Sequence, residues 1–291
     1  MRTPAAIGID VGGTTVKGLA VTADGTVLAD AAVPTPVPDP TGERTVQAVA
    51  RCVGELPGDA TTPLGVAVPG VVDVRRGIGL MSANVGWRDL PIAALLTRGL
   101  GRPIAFGHDV GAGGLAEIRS LEGVRGKTTA FVALGTGISA ALFFDGVPMS
   151  GDGWAGEIGQ LVLPDGPNAG RRVEEVAGAA SLARRAGVGG ADEVVRRVEA
   201  GDERACALWG EAVGALALGL AALAVSVHPQ IVVLGGGLAQ AGETLFGPAR
   251  AALARLTAGL PLPEFRPATH GTRAGALGAA ILALEPTAQN R

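Results

Sequence analysis

Apolar positions along the chain follow two patterns. Short apolar runs bounded by glycine, proline or polar turns, at Ile7 to Ile9, Val16 to Val21, Leu64 to Val68, Pro103 to Phe106, Phe131 to Leu134, Ile138 to Phe144 and Ile231 to Leu234, predict buried strands. Thr45 to Leu56, Gly111 to Ser120, Val173 to Ala186, Asp192 to Glu199, Asp202 to Val227, Leu245 to Leu256 and Ala274 to Leu284 carry helical patterns instead. Strands alternating with helices predict an α/β class. Ala212 to Val227 is free of charge, but it falls short of the roughly 20 apolar residues of a membrane span. His228-Pro229 closes it before another short apolar run, so a buried helix followed by a buried strand is expected, and no membrane partner.

Two stretches share one layout. From Ile7 to Gly25 the chain reads apolar run, Asp10-Val-Gly12-Gly13-Thr14-Thr15 turn, second apolar run and Asp24-Gly25; from Phe131 to Gly146 it reads apolar run, Gly135-Thr136-Gly137 turn, second apolar run and Asp145-Gly146. Asp-Gly is a hairpin signal, and a unit repeated in each half predicts duplicated domains facing one another, with a boundary near Val110. The stretch from Pro34 to Pro40 holds four prolines in seven residues and reads as a stiff surface connection.

Length and charge narrow the function. At 291 residues with a formal charge of −3 and no basic run, the chain is sized for about two domains and lacks the electrostatic footprint of a nucleic-acid binder. Its two cysteines, Cys52 and Cys206, support neither a disulfide framework nor a metal cluster, and both are expected to pack in the core. The first residues lack a signal peptide's apolar region and cleavage site, which predicts a cytoplasmic protein.

The two glycine turns carry the candidate chemistry. Glycine permits positive φ and close approach of a phosphate, so Gly12-Gly13-Thr14 and Gly135-Thr136-Gly137 can present backbone N–H groups as anion nests, each with a threonine hydroxyl to add. Asp10, just before the first turn, can position hydrated Mg²⁺. Ordinary hairpin turns are the plainer reading. A P-loop is excluded, because Gly126-Lys127-Thr128 has Leu121 where that motif needs glycine. Gly111-Ala-Gly113-Gly-Leu-Ala116 imitates a dinucleotide fingerprint but does not follow the first strand. Asp109, at the end of an apolar run, suits a general base or a helix N-cap. Asn84, Glu157, Gln160 and Glu174 suit hydrogen bonding of vicinal hydroxyls, or capping.

With these residues assembled, the chain resembles the ROK family of sugar kinases over nearly its whole length. The segments carrying the resemblance are Ile9-Asp10-Val-Gly12-Gly13-Thr14-Thr15-Val-Lys17, Asn84-Val-Gly-Trp87, His108-Asp109, Gly135-Thr136-Gly137 and Gly235-Gly236-Gly237, in that order. The resemblance implies two actin/hexokinase-like (ribonuclease H-like) domains with a cleft between them. It assigns 1–110 plus 275–291 to the first and 111–274 to the second, which would hold the nucleotide and a homodimer interface. It implies an ATP- and Mg²⁺-dependent kinase of glucose or an amino or N-acetylamino hexose, acting at the 6-hydroxyl with Asp109 as base. Asn84, His108, Glu157, Gln160 and Glu174 would hold the sugar, and Gly236 would lie on the nucleotide side.

Three positions depart from the family pattern. The stretch Leu163-Pro-Asp-Gly-Pro-Asn-Ala-Gly-Arg-Arg172 has none of the cysteines of the family's zinc segment, and Gln160 stands where a zinc-binding histidine is usual, so no structural zinc is expected. His108 replaces the asparagine that usually precedes the catalytic aspartate. Two alternatives are a polyphosphate-dependent glucokinase and a sugar sensor without turnover. A third, a sugar-responsive repressor, needs a DNA-binding segment ahead of Ile7, where only six residues stand.

Overall fold

The computed structural model describes residues 3–285. Its contacts divide the described chain into one unit of 3–120, 148–155 and 272–285 and another of 121–147 and 156–271. The expected spans differ at 111–120, 148–155 and 272–274, all of which belong to the first unit; residues 1–2 and 286–291 of those spans lie outside the described residues.

In the first unit β1 (Ala6–Val11), β2 (Thr15–Val21), β3 (Val27–Pro34), β4 (Leu64–Val68) and β8 (Ala105–His108) form a sheet in the order β3-β2-β1-β4-β8, antiparallel through the hairpins and parallel from β1 to β8. A second sheet holds β5 (Val71–Asp73), β6 (Ile78–Ser82) and β7 (Trp87–Leu90). Helices α1 (Glu43–Gly54), α3 (Asp109–Arg119) and α9 (Ala274–Leu284) cover the main sheet, and α2 (Ile92–Leu100) packs on α1 and β6. Alternation along β1 sends Ile7, Ile9 and Val11 into a core with Val49, Cys52 and Leu96, and Ala6 into another with Ala116, Ala276 and Ala280.

Helix α9 lies unusually close to this sheet because glycine lets it. A Cβ on Gly8 would stand 2.0 Å from the Ala276 carbonyl, on Gly65 1.8 Å from that of Ala279, and on Gly278 1.7 Å from that of Ala112 in α3. The small residues of α9 thus fit between β1, β4 and α3, which ties residues 111–120 to the first unit.

The second unit repeats the sheet. β9 (Thr128–Leu134), β10 (Ile138–Phe144), β12 (Ile231–Gly235) and β13 (Glu264–Pro267) run in the order β10-β9-β12-β13, an antiparallel hairpin followed by parallel neighbours, and Val147, the first residue of β11 (Val147–Met149), continues from β10 through a tight turn. The Asp145-Gly146 turn has φ of +51° and +74°, as the Asp-Gly signal predicts. Helices α4 (Val173–Ala177), α5 (Ala179–Ala186), α6 (Ala191–Glu199), α7 (Glu203–Val227) and α8 (Glu243–Leu256) complete it. Asp202 caps α7, its carboxylate accepting from Ala205 N–H at 2.7 Å. Among the described residues α7 is the one helix long and apolar enough to cross a membrane, but Val213, Leu216, Leu220 and Leu223 sit in the core of this unit.

Several expectations need correction. Val173 to Ala186 is two helices rather than one, broken at Gly178. Cys52 is buried, but Cys206 is exposed, because it falls on the outer face of α7. The stretch from Pro34 to Pro40 is not wholly superficial, since Thr35 and Asp39 are buried; Asp39 accepts from the Thr45 N–H and hydroxyl, both at 2.8 Å, and secures the start of α1.

Candidate active site

The first glycine turn is held from two sides. The β1–β2 register sets Asp10 opposite Lys17. From the end of β3, Thr35 donates its N–H to the Thr14 carbonyl at 3.0 Å and its hydroxyl to that of Gly12 at 2.7 Å. Within the turn, Gly12 N–H closes on the Thr15 carbonyl at 3.0 Å, and its counterpart Gly135 N–H closes on Gly137 at 3.1 Å. Thr14 and Thr136, one in each turn, are both exposed.

None of Gly12, Gly13, Gly135 and Gly137 has a positive φ, which corrects the expected reason for glycine there. At Gly12 the reason is space, since a Cβ would lie 2.9 Å from the Thr15 carbonyl; on Gly137 it would lie 3.0 Å from Glu174 Oε2, the end of a side chain. Gly13 faces Asn84, whose Nδ2 would be 3.5 Å from such a Cβ, so the first turn and the exposed Asn84 are neighbours. Trp87 of the same segment is core instead, its ring N–H donating to the Asp39 carbonyl at 2.9 Å.

Asp10 occupies a strained electrostatic position. Its Oδ1 is buried and has no hydrogen-bond partner among the described residues, while Oδ2 would lie 2.5 Å from a Cβ on Gly275 at the start of α9. Burial raises its pKa from 3.8 to about 7; the charge of Asp109 adds to the rise, and Lys17 and His108 oppose it.

Asp109 is the first residue of α3 and not its N-cap, which is His108 in an extended conformation. Its Oδ1 accepts from Val110 N–H at 2.7 Å and lies 3.0 Å from His108 Nε2. The two side chains are 28% and 20% exposed, enough to meet a ligand. Both contacts are made through Oδ1.

In the second unit, the segment from Gly156 to Gln160 lies against the backbone of β10. A Cβ on Gly156 would stand 1.9 Å from the Ala140 carbonyl and one on Gly159 2.1 Å from that of Ile138, so the Gly-Glu-Ile-Gly-Gln spacing is a demand for two bare backbones. The residues between them are thereby presented: Glu157 accepts from Ser139 Oγ at 3.0 Å, and Gln160 Nε2 donates to Glu174 Oε1 at 3.1 Å. The helix break at Gly178 secures the second turn, because Ala179 N–H donates to the Gly135 carbonyl at 2.9 Å and a Cβ on Gly178 would meet that of Thr136 at 2.7 Å. Gly236, with φ of +88°, would set a Cβ 2.4 Å from the Leu134 carbonyl, so the loop after β12 rests on the residue before this turn. The second turn, Gly236, Glu174 and Gln160 are thus gathered in one unit; Asp10, the first turn, Asn84, His108 and Asp109 belong to the other.

The loop without cysteines is sewn by polar side chains. Buried Asn168 donates to Glu211 of α7 at 2.8 Å and accepts from Arg171 at 3.1 Å, while Arg185 pairs with Glu211 and Arg171 donates to the Glu175 carbonyl at 2.9 Å. Among the described residues no group of three or more His, Cys, Asp or Glu is placed to hold a metal.

Comparison with known proteins completes the picture. The model of the ROK family matches residues 6–286. The chain belongs to the ROK family. A glucokinase of Halalkalibacterium halodurans is 30% identical to this ROK chain over 308 residues, covering 94% of it and 92% of the relative. Among solved structures, a ROK family glucokinase from Streptomyces griseus in complex with glucose and AMPPNP has a TM-score of 0.80 at 27% identity, over 96% and 98% of the two chains. An inorganic polyphosphate/ATP-glucomannokinase from Arthrobacter sp. strain KM has a TM-score of 0.72 at 32% identity, also over 96% and 98%. The fold class is accordingly α/β, actin/hexokinase-like, with a ribonuclease H-like sheet in each unit.

Four residues that bear on the site escaped the sequence reading. Lys17 was detectable, since it stands as far beyond the turn as cross-strand pairing with Asp10 requires. Thr35 and Gly275 give no local signal, because each acts on a residue distant in sequence, and Arg172 shows only its local pairing with Glu174 and Glu175, not its reach to Gln160.

Proposed function

We propose that this ROK protein transfers the γ-phosphoryl group of ATP to a hydroxyl of a hexose or hexose derivative, glucose or an amino or N-acetylamino sugar, at the 6-hydroxyl. The observation carrying this reading is the Asp109 carboxylate, fixed through Oδ1 by Val110 and His108. Asp109 takes the hydroxyl proton as the sugar oxygen bonds to the γ-phosphorus and the bond to the bridging oxygen of ADP breaks. The backbone of Gly13, Thr14, Thr136 and Gly137, with both threonine hydroxyls, hold the phosphates, and Gly236 gives the nucleotide a close backbone surface. Asn84, His108, Glu157, Gln160 and Glu174 bind the sugar hydroxyls.

The buried, unpartnered Asp10 Oδ1 fits a hydrated Mg²⁺ nearby. When bound, the ion neutralises charge on the transferred phosphate.

The test is ADP release from Mg-ATP with glucose, mannose, N-acetylglucosamine, N-acetylmannosamine and 3-amino-3-deoxyglucose. One sugar well above the rest is expected, and Asp109→Asn, still folded, should lose about 10²- to 10⁴-fold in kcat. Full activity in that variant would remove Asp109 as the base. Polyphosphate is a second donor to assay in parallel, a reading favoured by the 32% identity to the polyphosphate/ATP-glucomannokinase. The reading includes a cytoplasmic homodimer formed through the second unit, which light scattering of the purified protein would test.

A further inference from the structure

The Arg172 guanidinium reaches three side chains around the proposed sugar site. Its Nη1 donates to Gln160 Oε1 at 2.8 Å and lies 3.0 Å from Glu174 Oε1; its Nη2 lies 3.2 Å from Glu175 Oε1. Gln160 Nε2 in turn donates to Glu174 Oε1 at 3.1 Å. Arginine only donates, so it fixes which way the Gln160 amide points: Oε1 toward Arg172, Nε2 toward Glu174. One N–H of Gln160 then remains for a ligand, while its oxygen is turned toward the guanidinium. Glu174 is divided likewise, with Oε1 shared by Arg172 and Gln160 and Oε2 beside Gly137.

We propose that Arg172 is a positioning residue that sets sugar specificity by locking Gln160 as a hydrogen-bond donor and Glu174 as an acceptor through Oε2. The group of the sugar that meets Gln160 must therefore accept, as a hydroxyl, ring or acyl oxygen does, and an ammonium substituent there is refused. This deepens the kinase reading and rests on it for the identity of the ligand. The arginine does by hydrogen bonding what orientation of a polar side chain requires of any neighbour: it removes the amide's second rotamer and offsets the Glu174 charge.

The experiment compares Arg172→Met, Arg172→Lys, Gln160→Ala, the Arg172→Met/Gln160→Ala double variant and Glu175→Gln. Sugar affinity is read by calorimetry, and KM and kcat by ADP release. Arg172→Met should weaken sugar binding and raise sugar KM about tenfold, with kcat within about threefold and KM for ATP unchanged. Lysine at 172 should recover part of the loss, and Arg172→Met should add little once Gln160 is alanine. Glu175→Gln, which loosens one side of the Arg172 guanidinium while leaving its contacts to Gln160 and Glu174, should raise sugar KM by less than Arg172→Met does. Unchanged sugar affinity in Arg172→Met, additive effects in the double variant, or an equal loss in Glu175→Gln would each overturn the proposal. If the wild type binds sugar without phosphorylating it, the kinase reading fails while calorimetry still decides the role of Arg172; if it binds none of the panel, both fall.

Discussion

Asp10 faces Lys17 across the first hairpin, yet burial outweighs the lysine's charge. The pairing follows from hairpin register alone, whereas the burial comes from α9, where Gly275 closes over Oδ2. An acid held in this way costs stability whenever it ionises.

The pH dependence of stability follows. The folded pKa of Asp10, about 7, exceeds its ordinary 3.8, so its contribution to stability is complete below 3.8 and is lost as pH rises through about 7. At about 1.36 kcal/mol per pH unit, the loss across that window is about 4 kcal/mol. In metal-free buffer the wild type should therefore fall in thermal midpoint relative to Asp10→Asn between about pH 4 and pH 8. A difference that does not change with pH would show that Asp10 is already ionised in the folded protein.

His108 steadies Asp109 from the neighbouring position at 3.0 Å. His108→Ala leaves Oδ1 with the Val110 N–H alone, and kcat should drop about tenfold with little change in unfolding midpoint, the effect expected for a lost orienting hydrogen bond. His108→Asn, which keeps a donor, should lose less. Steady-state kinetics of the two variants on the preferred sugar provide the check.

Two glycine-to-alanine changes should act in opposite directions. Gly278→Ala drives a Cβ to 1.7 Å from the Ala112 carbonyl and should destabilise by about 2 kcal/mol or more. Gly214→Ala, exposed inside α7 with open space where a Cβ would stand, should stabilise by roughly 0.5–1 kcal/mol through helix propensity. Urea midpoints at constant slope measure both; equal effects would mean that close backbone contact is not what keeps glycine at 278.

The two thiols should react differently. Cys206 is exposed, whereas Cys52 is buried and its pKa is pushed up to about 11, by burial first and the charge of Glu55 second. A thiol reagent should therefore label one cysteine per native chain and two after denaturation, with Cys206→Ser abolishing the native label. Rapid labelling of both in the native protein would place Cys52 within reach of solvent.

The sequence by itself determined whatever depends on neighbours within a few residues. The duplicated hairpins are legible because short apolar runs meet glycine turns and are followed by Asp-Gly, and α7 because sixteen uncharged residues precede His228-Pro229, where the helix indeed ends. Asp109, Asn84, Glu157, Gln160 and Glu174 stood out as polar residues punctuating apolar or glycine-rich sequence. The short strands β5 to β7 did not, since three to five residues carry too little periodicity to be told from loop.

The tertiary structure alone decided how those residues are held. Gly178 breaks one apparent helix because the second turn needs its backbone, and Thr35, separated from Gly12 by a hairpin, braces the first. Cys206 is exposed because the outer face of α7 is chosen by what packs on the other side. Arg172 was one arginine among many until folding set its guanidinium between Gln160 and Glu174. Local periodicity and turn chemistry are written in consecutive residues; orientation, burial and charge arise from partners that only the folded chain brings within a few ångströms.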